Sequence, residues 1–331
     1  MTAPSTEWKE RVAPDEAERY ARYARDLSEL QAKKSETFGP GRALHRKGQL
    51  GAHGRFEVLP DLPSHARHGL FRTPKTFDAW VRLSNGGADR APDSKPDVRG
   101  FAIKVRGVTG PSALGGETSA QDFLLINHER FSFPSSDEFM GVVLAGARGP
   151  LALLGHFIKR YGFFAALGKL KALKATFDKP FASFATEPFF SAAPIAVGPY
   201  AAKVRMRPSR SLGAVPSEGT KDYGAEMAGR LTKSLLAFDV ALQFFVDEER
   251  TPIEDASVLW REDIAPFVKV ARLELPMQDT QSTEGRALAD TIEAATFDPW
   301  CALDAHRPLG DVMRARKVVY FDSQKGRGAV P

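Results

Sequence analysis

Short stretches of alternating apolar and polar residues recur along the chain. In Ala202-Lys203-Val204-Arg205-Met206-Arg207 one face carries Ala, Val and Met while the other is wholly cationic, the period of two expected of a strand with one buried face. Phe101 to Arg106 and Ala271 to Leu275 follow the same rule. Arg55 to Leu59, Trp80 to Ser84, Asp122 to Ile126 and Phe238 to Val246 complete the set. Short strands separated by long insertions predict an antiparallel barrel rather than a sheet of alternating strands and helices. No Gly-rich phosphate loop follows any of them, which argues against a nucleotide site.

Helical patterns flank this β region. Glu16 to Lys33 reads as a charged surface helix, and Phe139 to Phe177 as a helical hairpin broken near Gly149-Pro150, because Gly and Pro interrupt helical periodicity. Arg286 to Ala295 and Pro308 to Ser323 are two further helices near the C-terminus. The second half of the hairpin, Phe157 to Lys174, is rich in Phe, Leu and Lys. It reads as a helix packed on the barrel with lysine stems lying along apolar surface; contact with a membrane surface or lipid is the alternative. The expected fold is α+β, an antiparallel β-barrel with flanking and C-terminal helices. With no internal repeat and no low-complexity linker, residues 1–331 read as one domain, 1–38 forming a helical N-terminal extension.

Composition narrows the classes. Apolar residues make up 43% and charged residues 26% of 331, the balance of a globular protein able to bury a cofactor in its own core. Cys301 is the sole cysteine, which rules out an intrachain disulfide and Cys-rich metal or iron–sulfur sites. The N-terminal residues lack the apolar core of a secretory leader. No stretch reaches the roughly 18 uninterrupted apolar residues of a membrane span, so a cytoplasmic location is expected. The net charge of +5 comes from Lys and Arg scattered along the chain, apart from Lys169 to Lys179. Nucleic-acid binding, which needs a concentrated basic stripe, is not expected. A mildly basic surface does suit an anionic ligand.

Three segments hold the candidate chemistry. The first is Arg42-Ala43-Leu44-His45-Arg46-Lys47-Gly48, followed by Gly54 to Val58. The second is Val81-Arg82-Leu83-Ser84-Asn85 leading into Asp97-Val98-Arg99-Gly100-Phe101-Ala102-Ile103-Lys104. The third is Phe297-Asp298-Pro299, then Arg316-Lys317-Val318-Val319-Tyr320, and Arg327. Arg316 and Tyr320 stand one helical turn apart and share a face; a cation there favours the ionised phenol. Arg82 and Ser84, two residues apart, share a strand face.

In order, spacing and residue type these segments resemble the haem-catalase family. They look like its compact branch, which includes catalase-related peroxidases, and there is a distant similarity to coral-type allene oxide synthases. The resemblance runs from about Arg42 to Arg327 and is weakest between Ala145 and Leu235. It implies that Tyr320 binds haem iron as a phenolate, as tyrosine does in catalase, and that His45 is the distal acid–base group for peroxide cleavage. It implies further that Ser84 holds the second ring nitrogen of His45, that Arg42, Arg82 and Arg327 bind the propionates, and that Phe133, in Phe133-Pro134, lines the distal side. The other six histidines read as surface or structural residues.

The family's distal asparagine has no clear counterpart. Gln121 falls near its position, with Ser119 and Asp122 as rivals; glutamine keeps the amide but shifts it by a methylene. Leu44 beside His45 is apolar as in catalases, where allene oxide synthases have threonine. The resemblance implies a haem-dependent peroxidase or weak catalase acting on hydrogen peroxide or organic hydroperoxides with an electron donor, the haem being haem b. The alternatives are a fatty-acid hydroperoxide isomerase or lyase, and a non-catalytic haem- or lipid-binding module. Family relatives also imply a homo-oligomer.

Overall fold

A computed structural model describes residues 3–209 and 222–329. The strands among these residues are β1 (Gly48–Val58), β2 (Thr76–Asn85), β3 (Arg99–Pro111), β4 (Glu117–Ile126), β5 (Phe189–Phe190), β6 (Ile195–Val197), β7 (Tyr200–Pro208), β8 (Leu236–Phe244) and β9 (Phe267–Leu275). Every pairing is antiparallel. The strand order β5-β4-β3-β2-β1-β9-β8-β7 closes through a β5–β7 pairing, and β6 hangs from β7 as a hairpin. The expected barrel is thus present, closed by the two-residue β5. That strand, within Pro188-Phe189-Phe190, is too short to show a period of two in sequence.

The alternation predicted from sequence decides which side chains fill the barrel. Val81, Leu83, Phe101, Ile103 and Val105 are fully inaccessible to solvent and join one core cluster with Phe123 and Leu125. Each such side chain contributes about 1.5–3 kcal/mol through burial. The register pairs Ser84 with Gly100, Arg82 with Ala102, Ala102 with Leu124 and Gly100 with Ile126. These residues therefore share the opposite face of the same strands.

Seven helices lie outside the barrel among the described residues: α1 (Glu16–Phe38), α2 (Ser136–Arg148), α3 (Pro150–Tyr161), α4 (Phe163–Phe177), α5 (Tyr223–Leu231), α6 (Thr283–Ala294) and α7 (Asp311–Gly326). The predicted hairpin is in fact the three helices α2, α3 and α4. Its first break is Gly149-Pro150, as expected, and a second falls at Gly162, whose φ of 78° ends α3. A lone Gly within Tyr-Gly-Phe-Phe gave little warning of it. None of the described helices is long and apolar enough to cross a membrane.

The first and last helices are tied together. Tyr20 Oη on α1 donates to Asp311 Oδ1 on α7 (2.7 Å). Arg314 on α7 reaches Glu10 (2.8 Å), Glu16 (2.7 Å) and Glu254 (3.0 Å). Tyr20, Tyr23, Leu27 and Leu30 pack with Ala43, Met140 and Ala315 in one apolar cluster. Between α1 and β1, the fully buried Arg46 donates to Gly39 O (2.8 Å) and Gln31 O (3.0 Å), which anchors the segment carrying Arg42 and His45.

Candidate active site

One cavity, of about 1400 Å³ with its open mouth included, lies between the outer face of β2–β3–β4, the Arg42–His45 segment and α7. Its walls are mainly apolar: Leu124, Ile126, Phe131, Phe139, Val312 and Val319, with small residues at Ala43, Gly100, Ala102 and Ala315. Arg42, Arg82, Arg316 and Arg327 also line it, and among the described residues no Asp or Glu does.

His45 and Ser84 meet at this wall. His45 takes a positive φ of 52°, an uncommon backbone state for a residue with a side chain, held by its N–H donating to Gly86 O (2.9 Å) and its carbonyl accepting from Arg82 Nη2 (2.9 Å). Its Nδ1 lies 3.0 Å from Ser84 Oγ, which leaves Nε2 for other chemistry. Burial, and then Arg82, Arg316 and Arg42, push the imidazole down to about 3, so the ring is neutral across the physiological range. Gly100 makes the pairing fit: a Cβ there would lie 2.6 Å from His45 Nδ1 and 2.8 Å from Ser84 Oγ.

On α7, Arg316 Nη2 donates to Tyr320 Oη at 2.7 Å, with its guanidinium 4.8 Å from the ring centre. This is the one-turn pairing read from the sequence.

Arg42, Arg82 and Arg327 gather at the C-terminal end of α6, where the helix dipole attracts cations. Arg42 and Arg327 both donate to Ala295 O (3.0 and 2.8 Å). Arg82 Nε donates to Glu293 Oε2 (2.7 Å), and Arg42 pairs with the same carboxylate. The crowding shows in the titration: burial and then Arg82 push Arg42 down to about 9, with Glu293 opposing. Burial lowers Arg327 as well. A single carboxylate serves several guanidiniums. The set therefore has spare donors for an anionic ligand with paired carboxylates.

Two expected residues stand apart from the cavity. Gln121 has the same parity on β4 as Phe123 and Leu125, which face the barrel core; its Oε1 accepts from Leu303 N (3.0 Å) and its Nε2 donates to Asp122 O (3.3 Å). Phe133 packs edge-on and tilted against Phe131 and Phe139 (ring centres 5.6 Å in each case), and those two rings, not Phe133, line the cavity. Asp122, the rival to Gln121, is bonded to Lys104 (2.8 Å) and accepts from Asp298 N (2.9 Å). Glu293, Gly100 and Phe131 were not among the expected site residues. Glu293 stands four residues before Phe297 with no local pattern to single it out. The remaining six histidines lie outside the cavity lining.

The family model described as Catalase matches residues 25–116, the stretch that carries Arg42, His45, Arg82, Ser84 and Gly100. Over 87 residues the chain is 34% identical to a catalase of Schizosaccharomyces pombe and 37% identical to one of Ascaris suum. Residues 25–116 are thus similar to the catalase family. Each curated match covers 26% of this chain, and 17% and 16% of the respective relatives. Solved structures extend the fold likeness further. A fungal catalase superposes with a TM-score of 0.68 at 19% identity, covering 87% of this chain and 59% of its own. Catalase A from Saccharomyces cerevisiae gives 0.66 at 18% identity, with 88% and 62% covered. A bacterial catalase gives 0.62 at 18%, with 99% and 64% covered. The chain thus spans less than two thirds of the solved catalases it matches.

Proposed function

We propose that the chain is a haem-dependent peroxidase or weak catalase that reduces hydrogen peroxide or organic hydroperoxides. Similarity to the catalase family points to haem. The residues fit it: a cavity with mainly apolar walls, a phenol backed by a guanidinium, and arginines whose donors outnumber the carboxylates offered to them. The observation that carries the reading is that the Arg316–Tyr320 pair and the His45–Ser84 pair line the same cavity. Either pair alone would be an ordinary structural contact.

Bound haem supplies redox chemistry at its iron. Tyr320 Oη would be the iron ligand, and Arg316 balances negative charge on that oxygen. Arg42, Arg82 and Arg327 would hold the propionates through paired N–H donors. His45, kept neutral by burial, can accept a proton at Nε2 from an incoming peroxide and return it to the departing oxygen. Ser84 fixes the ring while this happens. Phe131, Phe139, Val312 and Val319 keep water from the apolar part of the cavity.

The test is expression with added haem, an absorption spectrum, and turnover of hydrogen peroxide and cumene hydroperoxide with and without a phenolic donor. A haem spectrum altered in Tyr320→Phe, and turnover lost in His45→Ala with haem retained, are expected. Protein that stays haem-free under these conditions would overturn the reading. A fatty-acid hydroperoxide isomerase or lyase is the second reading, favoured by the apolar rings Phe131 and Phe139 in the cavity wall. It requires a rearranged or cleaved lipid product without any donor.

A further inference from the structure

The helical run α2–α4 presents an apolar surface that the site does not use. Of the fifteen residues of α4 only Ala166 is buried. Phe164 is 87% exposed, Phe163 56% and Leu167 50%, all close to the turn at Gly162. Clusters of this kind on a water-facing helix mark an interaction site. Between Pro150 and Asp178 stand five cations, Lys159, Arg160, Lys169, Lys171 and Lys174, against one acid, Asp178. Lys159 and Lys171 are exposed and enter no ion pair among the described residues. Phe164, Leu167 and Lys171 recur at i, i+3 and i+7, which lays apolar and cationic groups along one face.

We propose that the α3–α4 tip docks on an anionic lipid bilayer, with Phe163, Phe164 and Leu167 entering the interface and Lys159 and Lys171 meeting the headgroups. Aromatic and aliphatic side chains enter the headgroup–acyl boundary, and flanking lysines are drawn to anionic lipid. A second copy of the chain fits this surface less well. A two-fold contact places the same patch against itself, so the unpaired Lys159 and Lys171 would oppose two more uncompensated cations. The reverse face of the tip is firmly seated: Phe157 and Ala166 pack with Phe131, Phe133 and Phe139, so the exposed rings stand on a rigid base. Phe131 and Phe139 belong to that base and to the cavity wall alike. The docking inference itself does not depend on haem.

Co-sedimentation of the full chain with phosphatidylcholine vesicles, with and without phosphatidylglycerol, tests the proposal. Binding is expected with phosphatidylglycerol and should weaken as salt is raised. Phe164→Asp should lower partitioning at least about tenfold. Lys159→Gln with Lys171→Gln should lower it about 30-fold, from two lost headgroup attractions. Both sites are exposed, and circular dichroism with thermal unfolding will verify that each variant keeps the fold. Absence of binding to anionic vesicles, or binding unchanged in both variants, overturns the proposal. So does a Phe164-dependent dimer, detected by light scattering, in protein that ignores vesicles.

Discussion

Gly100→Ala isolates the contact on which the distal side of the cavity depends. The added methyl carbon would sit 2.6 Å from His45 Nδ1, 2.7 Å from Cε1 and 2.8 Å from Ser84 Oγ. Those separations are about 1 Å inside ordinary van der Waals contact. The neighbours on that side are the ring and the hydroxyl that hydrogen-bond each other, so one must leave. Overpacking costs about 1–3 kcal/mol and loss of the hydrogen bond about 0.5–1.5 kcal/mol, giving an expected loss of about 1.5–4.5 kcal/mol. Urea unfolding of the haem-free protein reads this as a fall in midpoint at constant slope. The same substitution made in a His45→Ala background meets only the Ser84 hydroxyl, which can turn into the space the ring leaves, and its cost should drop below about 1 kcal/mol. An equal cost in both backgrounds would refute the argument that Gly100 makes room for His45.

Other outcomes follow from the same geometry. Glu293→Gln should destabilise the haem-free protein by about 1–3 kcal/mol, because Arg42 and Arg82 lose their shared carboxylate, and should tighten haem binding by removing a competitor for those donors. Urea unfolding and haem titration measure the two effects, and a variant weakened in both would contradict the second. Acid should also destabilise the fold. Burial pushes His45 down to about 3 and His128 and His306 down to about 4, so only the unfolded chain protonates these rings between their ordinary value of about 6.5 and about 4. Stability from these groups is present above about 6.5 and declines below it, by up to about 1.4 kcal/mol per pH unit for each ring. Asp122, raised to about 6 by burial, acts in the opposite sense over part of that range. Thermal unfolding against pH should fall below pH 6.5, less steeply in His306→Gln; a level profile down to pH 4 would contradict this. Finally, Arg316→Leu should cost the haem-free protein no more than about 2 kcal/mol, since it loses one hydrogen bond to Tyr320 Oη and a weak one to Met313 Sδ, yet alter the spectrum of the haem-loaded form. A spectrum identical to the parent's would contradict the proposed part of Arg316 and Tyr320 in holding haem.

What could be read in the sequence was whatever two local periods control. A period of two marked most of the barrel strands and put Arg82 and Ser84 on one face; one helical turn put Arg316 beside Tyr320. Gln121 shows the same rule neglected. Counting along a resemblance brought it to the cavity, but its parity with Phe123 and Leu125 turns it into the barrel. Phe133 failed differently, since the choice among Phe131, Phe133 and Phe139 depends on how α2 packs on the chain before it. Glu293 was hidden because its partners lie more than 200 residues away in sequence, and no local pattern records such a meeting. The break at Gly162, and with it the exposed tip, was equally silent: a Phe- and Leu-rich helix reads as a packed one until its neighbours are known.

The ion-pair knot around Arg314 makes the beginning of the chain answerable for the placement of the Tyr320 phenol near its end. Glu10 and Glu16 grip α7 two residues before Arg316, and Tyr20 closes on Asp311 at the start of the same helix. None of these three lines the cavity. The aim of the phenol is thus set from outside, like a hinge pin fixed in another panel. Cropping or tagging the first fifteen or so residues would alter no cavity wall and could still turn Tyr320 away from Arg316 and the cavity it lines.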